Sequence, residues 1–379
     1  MLRVVIIGGG PAGSSAAISL LRAARAQAIS VTIVESKAFP RAKVCGEFVS
    51  PSATDILEEL LTRPTLLGCG ASSVDQLFLH SGNRTWHWKM PTPAWTLSRR
   101  VLDNALLNTA REAGAVVRQP SHVSSILLRD DGVSIVLTSG ECLNADVVIH
   151  ADGAGRHDPS GAIGFRSNVV GLKCVVRPAV PIRGIRMRSA RSLYIGAVGV
   201  ECGLATLAMV ARTQLANANV RDADSLLARV WPELGPPHAH RVGDWLACPV
   251  GQSRYVRPGH PRSFRIGNAA AAVEPVGGEG IGLALWSGQL IGRVLAGVCH
   301  LAPHEFVAAL PALQTTMRRR YTRRLRTRIP ACRLAAAVLM RPALIRALSP
   351  LLRVPGSIIA PWYALTGKPM GLRHPVVYE

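Results

Sequence analysis

Three glycines at a fixed spacing and one carboxylate carry the first recognisable chemistry of this chain. Gly8-Gly9-Gly10-Pro11-Ala12-Gly13 fits G-x-G-x-x-G, with Gly8, Gly10 and Gly13 in the glycine places. Gly8 permits a tight turn, Gly10 lets a pyrophosphate approach the backbone, and Gly13 lets a helix close on a strand. Free N–H groups at the helix start, with the helix dipole behind them, favour phosphate. Glu35 follows where a carboxylate would accept hydrogen bonds from ribose hydroxyls. A second reactive stretch runs from Pro40 to Glu47. It sets Arg41, Lys43, Cys45 and Glu47 in a loop punctuated by Pro40 and Gly46. Cys45 reads either as a small buried hydrophobe or as a group beside a redox centre.

These residues need elements to hold them. Leu2–Ile7 is an apolar, β-branched run that reads as a strand buried on both faces. Ser14–Ala26 has helical spacing, and Val31–Val34 is a second strand ending at Glu35. This strand–loop–helix–strand context separates the motif from a glycine-rich loop that binds nothing. Three glycines and Pro11 inside the apolar run exclude a secretory signal. Ser52–Leu61 reads as a helix. Strands at 74–80 and 84–90 flank a Ser81-Gly82-Asn83 turn. Trp86 and Trp88 share one face of the latter, as core or as the wall of a flat apolar pocket. Thr96–Glu112 reads as a helix capped by Ser98 or Thr96, and it carries Arg99 and Asp103. Strands follow near 116–117, 126–128 and 133–137. Another at 145–150 runs into Asp152-Gly153. Residues 166–255 are strand-rich, as in an antiparallel sheet. A strand at 264–266 leads through Gly267-Asn268 and Pro275–Gly282 into a helix, and the tail from 301 is helical and basic.

Bulk properties narrow the classes. The chain has 379 residues, 48% of them hydrophobic, enough for one large domain or two intimate ones. The formal charge of +21 fits an anionic cofactor, substrate or membrane surface. It is concentrated in Met317–Arg328, which holds seven arginines and no acid. Neither zinc-finger spacing nor an RNA-binding signature accompanies it, which argues against nucleic acid. Eight scattered cysteines without C-x-x-C indicate neither a metal site nor a disulfide framework, and suit a reducing compartment. No apolar run reaches the length of a membrane-spanning helix.

Four separated segments, in order, resemble FAD-dependent oxidoreductases of the p-hydroxybenzoate-hydroxylase-like superfamily. That superfamily includes aromatic monooxygenases, geranylgeranyl reductases and flavin halogenases. The segments are the glycine loop with Glu35, the helix with Arg99 and Asp103, Ala151-Asp152-Gly153, and Gly267–Gly282. The Pro40-Arg41-x-Lys43-x-Cys45-Gly46 loop is most similar to the geranylgeranyl-reductase branch. The resemblance implies an α/β fold. A glutathione-reductase-type Rossmann FAD domain (1–73, 96–165, 256–300) would be interleaved with an antiparallel substrate sheet (74–95, 166–255). A helical region, 301–379, would follow.

It also implies roles. Gly8, Gly10, Pro11, Ala12, Gly13 and Glu35 would hold the ADP half of FAD. Arg99 would reach the ribityl–phosphate region, with Asp152 and Gly153 near the cofactor and the reductant path, and Arg41, Lys43, Cys45 and Gly46 are further candidate cofactor-binding residues. Pro275, Gly278, Gly280 and Ile281 would cover the flavin ring, and Asn268, after Gly267, would accept a ribityl hydroxyl hydrogen bond. The family usually has Asp where this chain has Asn268, and a small polar residue where it has Arg156. Trp86, Trp88 and Tyr194 are the candidate pocket residues, and Cys45 the candidate catalytic group.

The expected activity is an FAD-dependent monooxygenase that uses O2 and NAD(P)H on an apolar aromatic, polyketide or isoprenoid-type molecule. The alternative is a reductase of an isoprenoid or quinone C=C bond. No second dinucleotide unit is seen, so NAD(P)H would dock transiently or a partner reductase would deliver electrons. The expected location is cytoplasmic. Peripheral contact with anionic membrane through 317–352 is weighed against a solvated helix face that caps the substrate domain. The second is preferred, because Pro330, Pro342, Pro350 and Pro355 would break a long amphipathic helix.

Overall fold

Leu2–Ile7 forms the centre of a five-stranded parallel sheet. The strand order is Ser263–Arg265, Val147–His150, Leu2–Ile7, Ile29–Val34, Val116–Arg118. We describe a computed structural model over residues 1–24, 29–153, 169–213, 231, 234, 239–251, 254–354 and 356–370. Side chains alternate across the sheet, so the central strand feeds two cores. Val4 and Ile6 join the helix-covered core, whereas Val5 and Ile7 join Val123, Val133, Ile135 and Leu137. Those partners belong to a three-stranded antiparallel layer, Val123–Leu128, Val133–Leu137 and Cys142–Ala145.

On the helical side lie Pro11–Ala23 and Arg99–Glu112. Glu279–Ala296 packs flush against the first. Gly288 and Gly292 make that contact close: a Cβ on Gly288 would stand 2.3 Å from the Ala12 carbonyl oxygen, and one on Gly292 2.8 Å from the Leu20 nitrogen. Among the described residues, no helix is long and apolar enough to cross a membrane.

The second sheet has eight strands. Their order is Ala239–Pro249, Val169–Pro178, Ala205–Arg212, Leu193–Gly199, Ile185–Ala190, Ser72–Ser81, Arg84–Thr96, Phe48–Val49. Neighbours are antiparallel with one exception: Ile185–Ala190 runs parallel to Ser72–Ser81. A crossover of that length places the two strands side by side, so the sheet is mixed rather than purely antiparallel. The sheet takes the expected 74–95, and it adds Ser72, Ser73, Thr96 and the edge strand Phe48–Val49 from segments expected to serve the cofactor domain. Its outer face buries Leu172, Cys174, Val176, Ile195, Ala197, Leu207 and Met209 in a core of their own.

Two other expectations change. The helix begins at Arg99, not Thr96. Ser98 is the cap, its hydroxyl accepting the Val101 N–H at 3.2 Å, while Thr96 ends a strand. The tail is less broken than its prolines suggest. Pro303–Leu339 is one helix of 37 residues that contains Pro311 and Pro330. Proline removes an N–H and crowds the preceding turn, but a solvated face tolerates the freed carbonyl. Pro330 is on that exposed face, while Ile329 and Ala331 beside it are buried. Pro342 and Pro350 instead begin short helices, Pro342–Ala347 and Ser349–Leu352, and Ile359–Thr366 follows. Arg156 and Pro355 lie outside the described residues.

Candidate active site

The glycine loop has the shape its motif calls for. Gly8 sits at φ 104°, and a Cβ there would stand 2.6 Å from the Ala151 carbonyl oxygen. A Cβ on Gly13 would stand 1.9 Å from the Gly8 oxygen, so only hydrogen fits between loop and helix. Pro11 takes the first helical position and Ala12 follows it, both buried. Glu35 ends the second strand and is buried. Its Oε2 accepts the Gly9 N–H at 2.8 Å, and its Oε1 accepts the Lys37 N–H at 2.9 Å. Asp152 and Gly153 follow the strand Val147–His150, directly after the Ala151 that Gly8 touches.

Two guanidinium groups close over this loop. Arg99 donates to Asp103 through Nε at 2.6 Å and Nη2 at 2.8 Å, and Arg41 donates to the same carboxylate through Nη1 at 3.0 Å. Asp103 is fully buried. The place a Gly10 side chain would fill is 3.5 Å from Arg41 Nη2 and 4.0 Å from Arg99 Nη2. Lys43 is within electrostatic reach of both. Arg41 Nε makes no hydrogen bond, and the Glu35 carboxylate lies 3.7 Å from it. Two guanidinium groups, with Lys43 nearby, therefore border a glycine-lined backbone and a helix start. That set fits a dinucleotide pyrophosphate and is hard to explain as packing alone. Asp103 escaped the sequence reading as a site residue. Its signal was the Arg99–Asp103 spacing of four on one helix.

The loop expected to cover the flavin (the flavin loop) is built on the next crossover. Gly267 packs against Ala12, and its N–H donates to Ser287 Oγ at 2.9 Å. Asn268 is exposed, in the short turn Gly267–Ala269. Pro275 and Gly280 are exposed, and Ile281 is buried. Gly278 adopts φ 65°, and a Cβ there would stand 2.3 Å from the Phe48 ring. The helix Glu279–Ala296 starts at this turn with its N–H groups open. Glu279 itself is buried. It meets Arg328 Nε at 3.2 Å, Lys368 Nζ, and Ser50 Oγ at 3.4 Å.

A buried joint ties the 41–50 loop to the substrate sheet. Glu47 Oε1 accepts the Arg99 N–H at 2.8 Å and the Lys173 ammonium, while Oε2 accepts the Thr206 hydroxyl. Both Glu47 and Lys173 are buried. Cys45 lies beside Arg99, its sulfur accepting the Glu47 N–H at 3.4 Å, and it packs with the first core. The candidate thiol thus sits among the cations. Gly46 beside it is exposed.

A second acid of this loop region is Glu274, directly before Pro275. Tyr194 donates its hydroxyl to Glu274 Oε1, and the Val276 N–H donates to Oε2 at 3.4 Å. Burial pushes the Glu274 carboxyl up to about 7, and burial followed by Glu274 pushes the Tyr194 hydroxyl well above 10. Tyr194 packs with Leu79, Trp86, Val210, Ala336 and Leu339, so the expected pocket residues Trp86 and Tyr194 meet in one cluster. Trp88 borders it and a neighbouring cluster with Met90, Ile185 and Tyr363. Trp86 is core between sheet and tail helix rather than a free pocket wall. Across the inner face of the sheet, Met187, Gly196, Ala208 and Lys173 fall in one register row. Gly196 and Ala208 in this row are half-buried, and among the described residues only the Ala208 and Arg186 carbonyl oxygens come as near as 4.0 Å to a Cβ built on Gly196. Lys173 and Thr206 carried no pattern that pointed to the site, because the sheet register alone brings them there; Glu47 and Glu274 fell in stretches that the sequence singled out, but their partners did not show.

Comparison with known proteins gives three kinds of likeness. Residues 3–64 match the tryptophan halogenase family model. The chain is 28% identical over 328 residues to a protein of Mycolicibacterium smegmatis named menaquinone reductase, covering 77% of this chain and 76% of that one. It is 30% identical over 164 residues to the FAD-dependent monooxygenase OpS4 of Beauveria bassiana, covering 40% and 37%. A geranylgeranyl bacteriochlorophyll reductase-like protein from Thermoplasma acidophilum shares the fold, with TM-score 0.75, 19% identity and 96% of each chain covered.

Proposed function

We propose that this chain, an FAD-dependent oxidoreductase of the superfamily of flavin halogenases, monooxygenases and geranylgeranyl-type reductases, saturates a C=C bond of an apolar isoprenoid- or quinone-type molecule. The observation that carries this reading is the Tyr194–Glu274 pair. It holds an acid half-protonated near neutrality, one residue before the loop expected to cover the flavin. Its position beside the half-buried row at Gly196 and Ala208 gives a flat apolar substrate somewhere to lie. The long match to a protein named menaquinone reductase supports the same choice, which we place ahead of the monooxygenase reading expected from the sequence.

Bound FAD would supply the hydride, drawn from a reduced nicotinamide nucleotide, for one carbon of the double bond. The chain's own residues do the rest. Arg41, Arg99 and the Pro11 helix start hold the pyrophosphate, and Glu35 the ribose. Open N–H groups at Gly280 and Ile281 favour negative charge at the helix start. Glu274 delivers the matching proton through Tyr194 Oη, so one hydride and one proton saturate one bond. The apolar cluster of Leu79, Trp86 and Val210 keeps water from competing for that proton.

The oxygen-transfer reading is the second, favoured by the 30% identity to a monooxygenase over 164 residues. One experiment separates them. The FAD-loaded protein is incubated with NADH or NADPH and a polyprenyl quinone, with and without air, and the products are weighed by mass spectrometry. After any quinol is reoxidised to quinone, a product heavier by two hydrogens, with the gain in its prenyl chain fragment, is expected in both conditions. A product gaining one oxygen only in air replaces the reductase reading with the second, and unchanged quinone in both conditions overturns the reductase reading.

A further inference from the structure

We infer that the outer face of the C-terminal helices is a docking surface for an anionic lipid bilayer. Between Phe306 and Tyr378 the sequence contains no Asp or Glu, while arginine recurs throughout. Within the helix Pro303–Leu339, Arg319, Arg323, Arg326, Pro330, Arg333 and Leu334 follow one another at spacings of one to four, and all are exposed. They make one stripe along the solvent face. Past the helix end the stripe turns apolar. Leu334 is 67% exposed, Val354 53% and Leu351 45%, with Leu344, Leu365 and Met370 also among the large hydrophobics left open. Arg341, Arg346 and Arg353 are interleaved with them and exposed. Apolar side chains among arginines, in a stretch of sequence without Asp or Glu, are the composition of a surface that enters the headgroup layer.

Charge decides among occupants. A second copy meeting the same face would oppose arginine to arginine, since a two-fold interface joins identical patches. A nucleic acid would meet the arginines but leave the leucines uncovered. Anionic lipid satisfies both kinds of side chain. The opposite face of the same helices carries Ala336, Leu339, Ile345 and Leu352 into the cluster around Trp86 and Tyr194. The docking face and the candidate substrate cluster are thus the two sides of one helical layer.

The test is vesicle flotation of the FAD-loaded full chain with no substrate present, so it is independent of which reaction is catalysed. The vesicles are phosphatidylcholine alone, or phosphatidylcholine mixed with phosphatidylglycerol. Two triple variants accompany the wild type: Leu344→Ser/Leu351→Ser/Val354→Ser and Arg319→Gln/Arg323→Gln/Arg326→Gln. All six positions are exposed, and flavin absorbance with a melting curve checks that each variant is folded. The wild type is expected to float with the anionic vesicles only, and each variant to bind roughly tenfold less, with binding weakened as salt rises from about 0.05 to about 0.5 M. Wild type left at the bottom of the gradient with anionic vesicles at low salt overturns the proposal. So does a leucine variant that binds as well as wild type, which would reduce the face to a general polyanion site. A concentration-dependent dimer, lost in the leucine variant and unaccompanied by flotation, assigns the face to self-association instead.

Discussion

Glu274 is the side chain whose ionisation the rest of the site constrains most directly. Its carboxyl is raised to about 7 by burial, so the folded chain binds a proton there that the unfolded chain releases near the ordinary carboxylate value. Between those two values the folded state holds more protons, and stability falls as pH rises. Glu274→Gln keeps an acceptor for the Tyr194 hydroxyl and removes the titration. The melting temperature of this variant is expected to stay flat from about pH 5 to about pH 7, where the wild type declines. Reductase turnover of the variant is expected to drop about a hundredfold with little change in KM, because a proton donor acts on the chemical step. Asn268 is a second test at this scale. It is exposed in the turn beside the glycine loop, and a carboxylate accepts a ribityl hydroxyl bond more strongly than an amide. Asn268→Asp is expected to tighten FAD binding roughly fivefold. Fluorescence titration of the apoprotein measures it, and equal affinities would remove Asn268 from the cofactor contacts.

The 41–50 loop shows how an element becomes part of a site through one buried carboxylate. Glu47 joins the N-terminus of the Arg99 helix to Lys173 and Thr206 on two strands of the other sheet. Glu47→Ala leaves the Lys173 ammonium buried without its partner, a change costing about 3–5 kcal/mol. Glu47→Gln keeps the Thr206 and backbone bonds and is expected to lose less. Denaturant unfolding of the two variants measures the order, and equal losses would mean that the charge on Glu47 is immaterial. Sequence patterns had reached the elements on either side of this joint. Gly8 to Gly13 and Glu35 were legible because motif spacing and strand periodicity are local, whereas Arg99 was marked only by the family resemblance. Lys173 and Thr206 were not, since an alternating strand pattern says which residues share a face but not which loop covers it. The same limit hid the parallel join of Ile185–Ala190 to Ser72–Ser81, and the passage of one helix through Pro330, where tertiary burial of Ile329 outweighs local propensity.

At the scale of the whole molecule, the tail is fastened to the flavin loop by a charge cluster. Glu279, first in its helix, meets Arg328 from the long helix and Lys368 from beyond Ile359–Thr366, and all three are buried. The cluster holds two cations against one carboxylate, so its members are not equivalent. Glu279→Gln leaves both cations facing each other in a dry site, whereas Lys368→Met leaves a paired Glu279 and Arg328. The first variant is therefore expected to be the less stable, by several degrees in melting temperature, and to lose flavin more readily because the disturbed residue begins the loop helix. Lys368 adds a pH signature. Burial is the largest influence on it and lowers its affinity for a proton, with Glu279 opposing. Above the depressed folded value and below the ordinary lysine value, the unfolded chain binds more protons, so stability rises with pH in that alkaline window. Lys368→Met removes the titrating group and with it this rise. Melting curves of wild type and variant are compared from neutral pH upward. Parallel curves would show that Lys368 titrates as an ordinary surface amine, and that the tail is held to the flavin loop by apolar packing of Trp362 and Cys332 on Gly277 instead.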